Sequence, residues 1–177
     1  GCDCQEIQEN GECTHYCSDG FRHGKADAFD MYRNEMIRYY SNIVGKYGGA
    51  VQTALKKISN LQIARLCSTH GPVWESHAGD VISLYDRLSR YEAENGVCIV
   101  YGSMYGNTAE AARNLERELI ALGIPTAMHN LNVGNGSAAL RDIFRYDTIA
   151  VGSPTYNGGI FPPVESFMRA ITSRMVK

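Results

Sequence analysis

The chain has no apolar run approaching the ~20 residues that a membrane-crossing helix needs. Its opening, GCDCQEIQEN, has neither the charged nor the apolar region of a secretory leader. No membrane association is expected, and a cytoplasmic protein is the default. An excess of either charge is also missing: the formal charge is −2, spread over both halves, which argues against a nucleic-acid partner. Neither G-x-G-x-x-G nor G-x-x-x-x-G-K-[ST] occurs, so a dinucleotide and a triphosphate carried on Mg2+ are both disfavoured. Internal repeats and low-complexity tracts are absent. There is no initial Met, which points to a fragment or a processed product. With 44% hydrophobic and 20% charged residues, the composition is that of a folded globular protein. Its 177 residues are one domain of ordinary size or parts of two.

Cysteine is not scarce. Of six, Cys2, Cys4, Cys13 and Cys17 crowd the start as C-x-C followed by C-x3-C, with His15 and His23 close by. Four ligands for Zn2+ can be drawn from this set. The spacing departs from paired C-x2-C knuckles, so disulfide pairing and a Cys-rich surface loop stay open beside it. Residues 1–26 have almost no periodicity and read as a loop or insertion. Cys67 and Cys98 fall in apolar stretches and read as small buried hydrophobes.

From Asp27 to about Val44 the apolar residues Phe29, Tyr32, Met36, Tyr40, Ile43 and Val44 recur at helical spacing, and GKYGG at 45–49 is expected to break that helix. A shorter helix carries Val51, Ala54, Leu55 and Ile58 on one face. LQIARLC at 61–67 is strand-like and leads into STHGPVW. Residues 75–94 read as a linker helix with Val81, Leu84, Tyr85, Leu88 and Tyr91 on one stripe, ended by Asn95-Gly96, the best candidate for a domain boundary. His77 near its start reads as solvated or as part of the cap. Beyond it come a strand at 97–102, a helix at 108–122 closed by Gly123, a strand at 125–131, a helix at 137–145, a strand at 148–152 and a helix at 162–172. These are three βα units, the pattern of an α/β fold with a parallel sheet.

The stretch Ser103, Met104, Tyr105, Gly106, Asn107 and Thr108 joins the first of these strands to its helix. Backbone N–H groups and a helix N-terminus converge in such a turn, making an anion site. With hydroxyls at Ser103 and Thr108 and no Lys or Arg, it suits one terminal phosphate; a plain capped turn is the alternative. TIAVGSPTYNGGIFPP at 148–163 repeats the design, with small and turn-forming residues around Tyr156. In an open parallel sheet the ligand crevice lies at the carboxyl ends of the strands flanking the switch point, where two such loops meet.

Together the two segments resemble the flavodoxin-like family, with SMYGNT in place of its phosphate loop and Pro154, Thr155, Tyr156, Asn157, Gly158 and Gly159 as the first of its flavin-ring loops. The resemblance covers 97–177 and implies FMN as ligand and electron transfer as chemistry. Farther upstream, RYYSNIVGKYG at 38–48 and LCSTHGPVW at 66–74 resemble the end of the metallo-β-lactamase-like domain of flavodiiron proteins, the A-type flavoproteins, in which that domain directly precedes a flavodoxin-like one. The expected division is thus a Cys-rich segment 1–26, lactamase-like residues 27–94, and the flavodoxin-like residues 97–177.

The resemblance places His70 at the last His ligand of a non-haem di-iron centre. The family's H-x-E-x-D-H motif does not occur here. The role of its bridging Asp is not transferred to Asp27, and Asp3 lacks the flanking residues. No residue is assigned as catalytic. For the intact parent the resemblance implies reduction of O2 or NO with electrons delivered through FMN from a rubredoxin or reductase-type partner, in a homodimer. An FMN electron carrier or reductase module without iron, and a Zn-stabilised binding module, are the other readings. A flavodoxin-like sheet has five strands in the order 2-1-3-4-5, and three are supplied here. The third, TIAVG, is then expected to be an exposed apolar edge, and the chain alone to bind FMN weakly or not at all and to self-associate.

Overall fold

A computed structural model describes residues 28–174; Asp3, Asp27, His15, His23 and the cluster of Cys2, Cys4, Cys13 and Cys17 lie outside the described residues. Two compact units are present. Among the described residues, one comprises 28–36 and 49–90, the other 37–48 and 91–174. Residues 37–48, assigned by sequence to the segment 27–94, thus cluster with the second unit.

Helix α1 (Ala28–Tyr39) belongs to the first unit up to Met36, α2 (Gly48–Ile58) from Gly49 onward, and α3 (Ala78–Ser89) throughout. Between α2 and α3, β1 (Leu66–Cys67) pairs antiparallel with β2 (Val73–Trp74). The buried Trp74 organises this unit, with Phe29 at 6.3 Å and Tyr32 at 6.1 Å between ring centroids, both edge-on, and Val81 packed beside it. Only the last two residues of the strand expected at 61–67 are extended. Cys67 is exposed rather than buried, because alternation along so short a strand turns Leu66 toward the Trp74 cluster and its neighbour away. The helix expected over 75–94 is shorter at its C-terminal end, since Tyr91 at φ 57° turns the chain left-handed just past the Arg90 cap. At its start His77 Nδ1 lies 2.8 Å from Asp80 Oδ2.

The second unit opens on the last residues of α1, followed by a π-helical turn, Tyr40–Val44, and a 3-10 turn, Gly45–Tyr47, so GKYGG tightens the helix rather than breaking it. The Ser41 hydroxyl and the Asn42 amide both donate to the Arg38 carbonyl, at 3.0 and 2.8 Å. Such side-chain bonds compete with the helical ladder and loosen it.

The core of this unit is a parallel sheet of β3 (Glu94–Tyr101), β4 (Thr126–Asn130) and β5 (Tyr146–Gly152), in the order β4-β3-β5. This is the 2-1-3 part of the order expected for a flavodoxin-like fold. Alternation along β3 divides its side chains between two layers. Val97, Ile99 and Tyr101 pack on Ala109 and Ala112 of α4 (Asn107–Ala121). Cys98 and Val100 pack on Ala139, Leu140 and Ile143 of α5 (Gly136–Arg145) and Phe167 of α6 (Pro162–Arg174). Both faces of β3 are therefore dry, and each large apolar side chain buried contributes about 1.5–3 kcal/mol.

Asn95-Gly96 does not end a helix; it forms an irregularity in β3 between Glu94 and Val97. A Cβ on Gly96 would lie 2.4 Å from the Tyr146 ring, so the glycine admits that ring. Helix α4 ends as expected at Gly123, φ 73°, where Gly123 N–H bonds the Ile120 carbonyl and Ile124 N–H the Leu119 carbonyl, the double bond of a Schellman cap. On β5, Ile149 and Val151 are 43% and 47% exposed, although they pair with the fully buried Cys98 and Val100. The apolar edge expected from TIAVG is present. Among the described residues no helix is long and apolar enough to cross a membrane.

An ion cluster bridges β4 and α5. Asp142, 2% exposed, accepts from Arg141 Nε and Nη2 at 2.8 and 2.7 Å and lies 2.8 Å from His129 Nε2. Burial by itself raises the carboxyl pKa, but the bonds and charges of His129 and Arg141 outweigh it and hold the value at about 2. Burial, aided by the Asp142 charge, pushes the Cys98 thiol up to about 12. A carboxyl depressed on folding stabilises the fold above its unfolded pKa, and that stability is lost as pH falls through the folded value. Asp142 therefore contributes about 2 kcal/mol near neutrality that disappears between roughly pH 4 and 2. Thermal unfolding of Asp142→Asn followed across this range should show a lower midpoint at pH 7 and a flatter acid slope than the parent chain; parallel slopes would mean the carboxyl is not the titrating group.

Candidate functional site

Three loops leave the carboxyl ends of the parallel strands, and they meet. The link between β3 and α4 holds Ser103 to Gly106. Gly106, at φ 92°, is the N-cap of α4, and a side chain there would be strained although nothing lies within 4 Å of its Cβ position. The Ser103 hydroxyl oxygen accepts from the Gly106 and Ala109 N–H groups at 3.1 and 3.4 Å. A hydroxyl has two lone pairs and one proton, so with both lone pairs engaged Ser103 retains its O–H as a donor. Asn107 and Thr108 form the first turn of α4, where backbone N–H groups have no partner inside the helix. Met104 and Tyr105 are exposed, Tyr105 at 87%.

The loop after β5 is a small hairpin that the sequence did not announce as strand. β6 (Thr155–Tyr156) pairs antiparallel with β7 (Gly159–Ile160). Asn157 at φ 48° and Gly158 at φ 77° lie between them, the pair of positive φ angles that a two-residue I′ turn requires. Pro154 precedes β6, and the Ser153 hydroxyl closes the base of the loop, donating to the Pro154 carbonyl at 2.9 Å and accepting the Phe161 N–H at 3.1 Å. Tyr156 is half-exposed, its ring 6.0 Å from that of Phe161. The hairpin is anchored to the first loop's strand, since the Gly102 N–H bonds the Gly152 carbonyl at 3.0 Å. A Cβ on Gly152 would touch the Thr108 methyl at 3.0 Å.

The loop after β4 enters the site as well. Asn132 pairs its side-chain amide with the backbone of Ser103, accepting the Ser103 N–H at 2.9 Å and donating to its carbonyl at 3.0 Å. Neither Asn132 nor Ser153 is among the residues singled out by sequence. The signal available was position alone: polar residues just past the carboxyl end of a parallel strand. A cavity of about 420 Å³ on the α5–α6 side, lined in part by Ser137, Phe167 and Arg174, includes no residue of the 103–108 turn or the hairpin.

His70 is in the other unit, exposed in the turn between β1 and β2. Among the described residues no three His, Cys, Asp or Glu side chains come together as a metal site.

The fold and the two loops define a flavodoxin-type domain, and residues 98–176 match the flavodoxin domain family. The chain resembles a nitric oxide reductase of Moorella thermoacetica, with 28% identity over 76% of this chain and 34% of that protein. Among solved structures it resembles the rubredoxin oxygen:oxidoreductase of Desulfovibrio gigas, with TM-score 0.75 and 25% identity over 81% of this chain and 37% of that one. The flavodiiron protein of Giardia intestinalis gives TM-score 0.77 and 25% identity over 81% and 36%. The flavodiiron proteins are thus what the chain is similar to, over a part of their length. It spans about a third of the length of the curated relatives it matches.

The meeting of the loops depends on Gly102. A Cβ there would come within 2.8 Å of both Phe161 and Val164, pushing the base of the hairpin and the start of α6 off the end of β3. Gly102→Ala should destabilise the fold by about 1–3 kcal/mol, the usual cost of overpacking, and shift the backbone amide resonances of 153–161 more than those of 136–145. An unperturbed hairpin spectrum would show that the contact yields.

Proposed function

We propose that residues 97–177 are the first part of an FMN domain and that the full-length protein is a flavodiiron-type oxidoreductase, reducing O2 or NO at a non-haem di-iron site with electrons passed through the flavin. One observation carries the flavin reading: an amide- and hydroxyl-lined turn at the N-terminus of α4 and a positive-φ hairpin lie together at the carboxyl end of a sheet ordered 2-1-3. The donor set fits a phosphate monoester. It offers the Ser103 and Thr108 hydroxyls, the Asn107 side chain and the backbone N–H groups of Asn107 and Thr108, with the positive end of the α4 dipole behind them. Pro154, Thr155, Tyr156, Asn157, Gly158 and Gly159 would border the flavin ring, with Tyr156 against it. When bound, FMN supplies the electron transfer, while the chain's residues bind, orient and tune it.

The described residues do not by themselves fit a di-iron centre; His70 is proposed as one ligand of it. The relatives' names support a redox partner of rubredoxin or reductase type for the whole protein, and a homodimer is proposed with it. Cofactor analysis of the full-length protein should find one FMN and two irons per chain. Flavin without iron would favour an electron-carrier or reductase module.

Each hydrogen bond to a charged group is worth about 1.5–3 kcal/mol, and riboflavin lacks the phosphate. Thr108→Ala in the full-length protein should therefore weaken FMN at least several-fold and leave riboflavin affinity almost unchanged; an equal loss for both would remove the phosphate role. At the hairpin, Gly158 can turn its peptide through conformations that a Cβ resists, which would let a carbonyl follow the protonation of the reduced ring. Gly158→Ala should shift the flavin midpoint potential measured by redox titration, and an unchanged potential would leave the turn with a purely structural role.

A further inference from the structure

We propose that Asn132 is a positioning residue for phosphate, acting through Ser103; the inference rests on reading the β3–α4 turn as a phosphate loop. The Asn132 side chain bonds both backbone groups of Ser103, its Oδ1 taking the N–H at 2.9 Å and its Nδ2 giving to the carbonyl at 3.0 Å. Only one orientation of the amide satisfies both, since the reverse would set donor against donor and acceptor against acceptor. It thus pairs with Ser103 as a neighbouring strand would, extending the link between β3 and β4 two residues past the sheet. Asn132 is itself held, its N–H bonding Asn130 Oδ1 at 3.0 Å, while the Gly134 N–H returns to the Asn130 carbonyl at 2.7 Å. Leu131 N–H bonds the Tyr101 carbonyl at 2.8 Å, so the loop is fastened at two points, to the last residue of β3 and to Ser103 at the start of the turn.

What this clamp controls is the direction of one hydroxyl. Ser103 Oγ receives the Gly106 and Ala109 N–H groups, which leaves its proton to be offered outward. That arrangement holds only while the Ser103 backbone keeps its place relative to α4. Asn132 keeps it there without touching the ligand, and so reduces the ordering that binding would otherwise require.

The test is a set of FMN and riboflavin titrations of the full-length protein, as parent, Asn132→Ala, Ser103→Ala and the double variant. Asn132→Ala should weaken FMN by about 3–10-fold, the range for one or two modest hydrogen bonds, and riboflavin by less than about twofold. Retained riboflavin affinity shows that the variant folds. In the Ser103→Ala background the same change should cost less than half as much on a logarithmic scale, because residues that act through one another are not additive. Unchanged FMN affinity, equal loss of both ligands, or additive losses would each overturn the positioning role. If Ser103→Ala itself leaves the preference for FMN over riboflavin intact, the phosphate-loop reading fails and this inference with it. A strong Ser103 effect beside a silent Asn132→Ala would sink the inference alone.

Discussion

Burial of β3 on both faces is the constraint from which the rest of the second unit follows. A strand whose successive side chains all lie in apolar layers needs helices above and below it and partners on both edges. Val97, Ile99 and Tyr101 require α4 on one side, and Cys98 and Val100 require α5 and α6 on the other. Right-handed crossovers then leave one arrangement of neighbours, β4 on one edge and β5 on the other. All three strands are parallel, so their carboxyl ends and the loops that leave them share one end of the sheet. The site is a consequence of the core.

Small residues make that end compact. Gly102 and Gly152 are joined by a backbone hydrogen bond; a Cβ on Gly102 would collide with neighbouring side chains, and one on Gly152 would press on Thr108 and Tyr101. These glycines allow the 103–108 turn, the hairpin and the start of α6 to approach as they do. Polar side chains then fix the loops: Ser103 closes the turn, Ser153 closes the hairpin, and Asn132 joins the turn to the loop after β4. The Asp142 cluster stands apart from this machinery. Its carboxylate is paired with Arg141 and His129, which ties β4 to α5 in the layer beneath Cys98. A buried pair of this kind guards the packing chiefly because removing one member strands the other.

Much was legible in the residues alone, for reasons that can be named. Alternation is short-ranged, so the apolar runs around 97–101 and 148–152 announced strands. Helical spacing with Gly123 as a stop announced α4. SMYGNT and PTYNGG were conspicuous because turn-forming residues directly followed those strands. Less was legible where the deciding partner lay far along the chain. Asn95-Gly96 looked like a helix end, yet it is a bulge accommodating Tyr146, some fifty residues later. LQIARLC looked like a full strand, but only Leu66–Cys67 finds a partner.

By itself, then, the sequence determined the βα succession, the two loops that carry the site, and the absence of the common nucleotide signatures, because each is written in contiguous residues. Only the tertiary structure decided which side chains serve those loops. Asn132 is distant from Ser103 in sequence and has no motif of its own; its role exists because β4 lies beside β3 with Leu131 bonded to Tyr101. Hydrogen bonds reach about 3 Å, and a partner at that range is chosen by the sheet's register rather than by any local pattern.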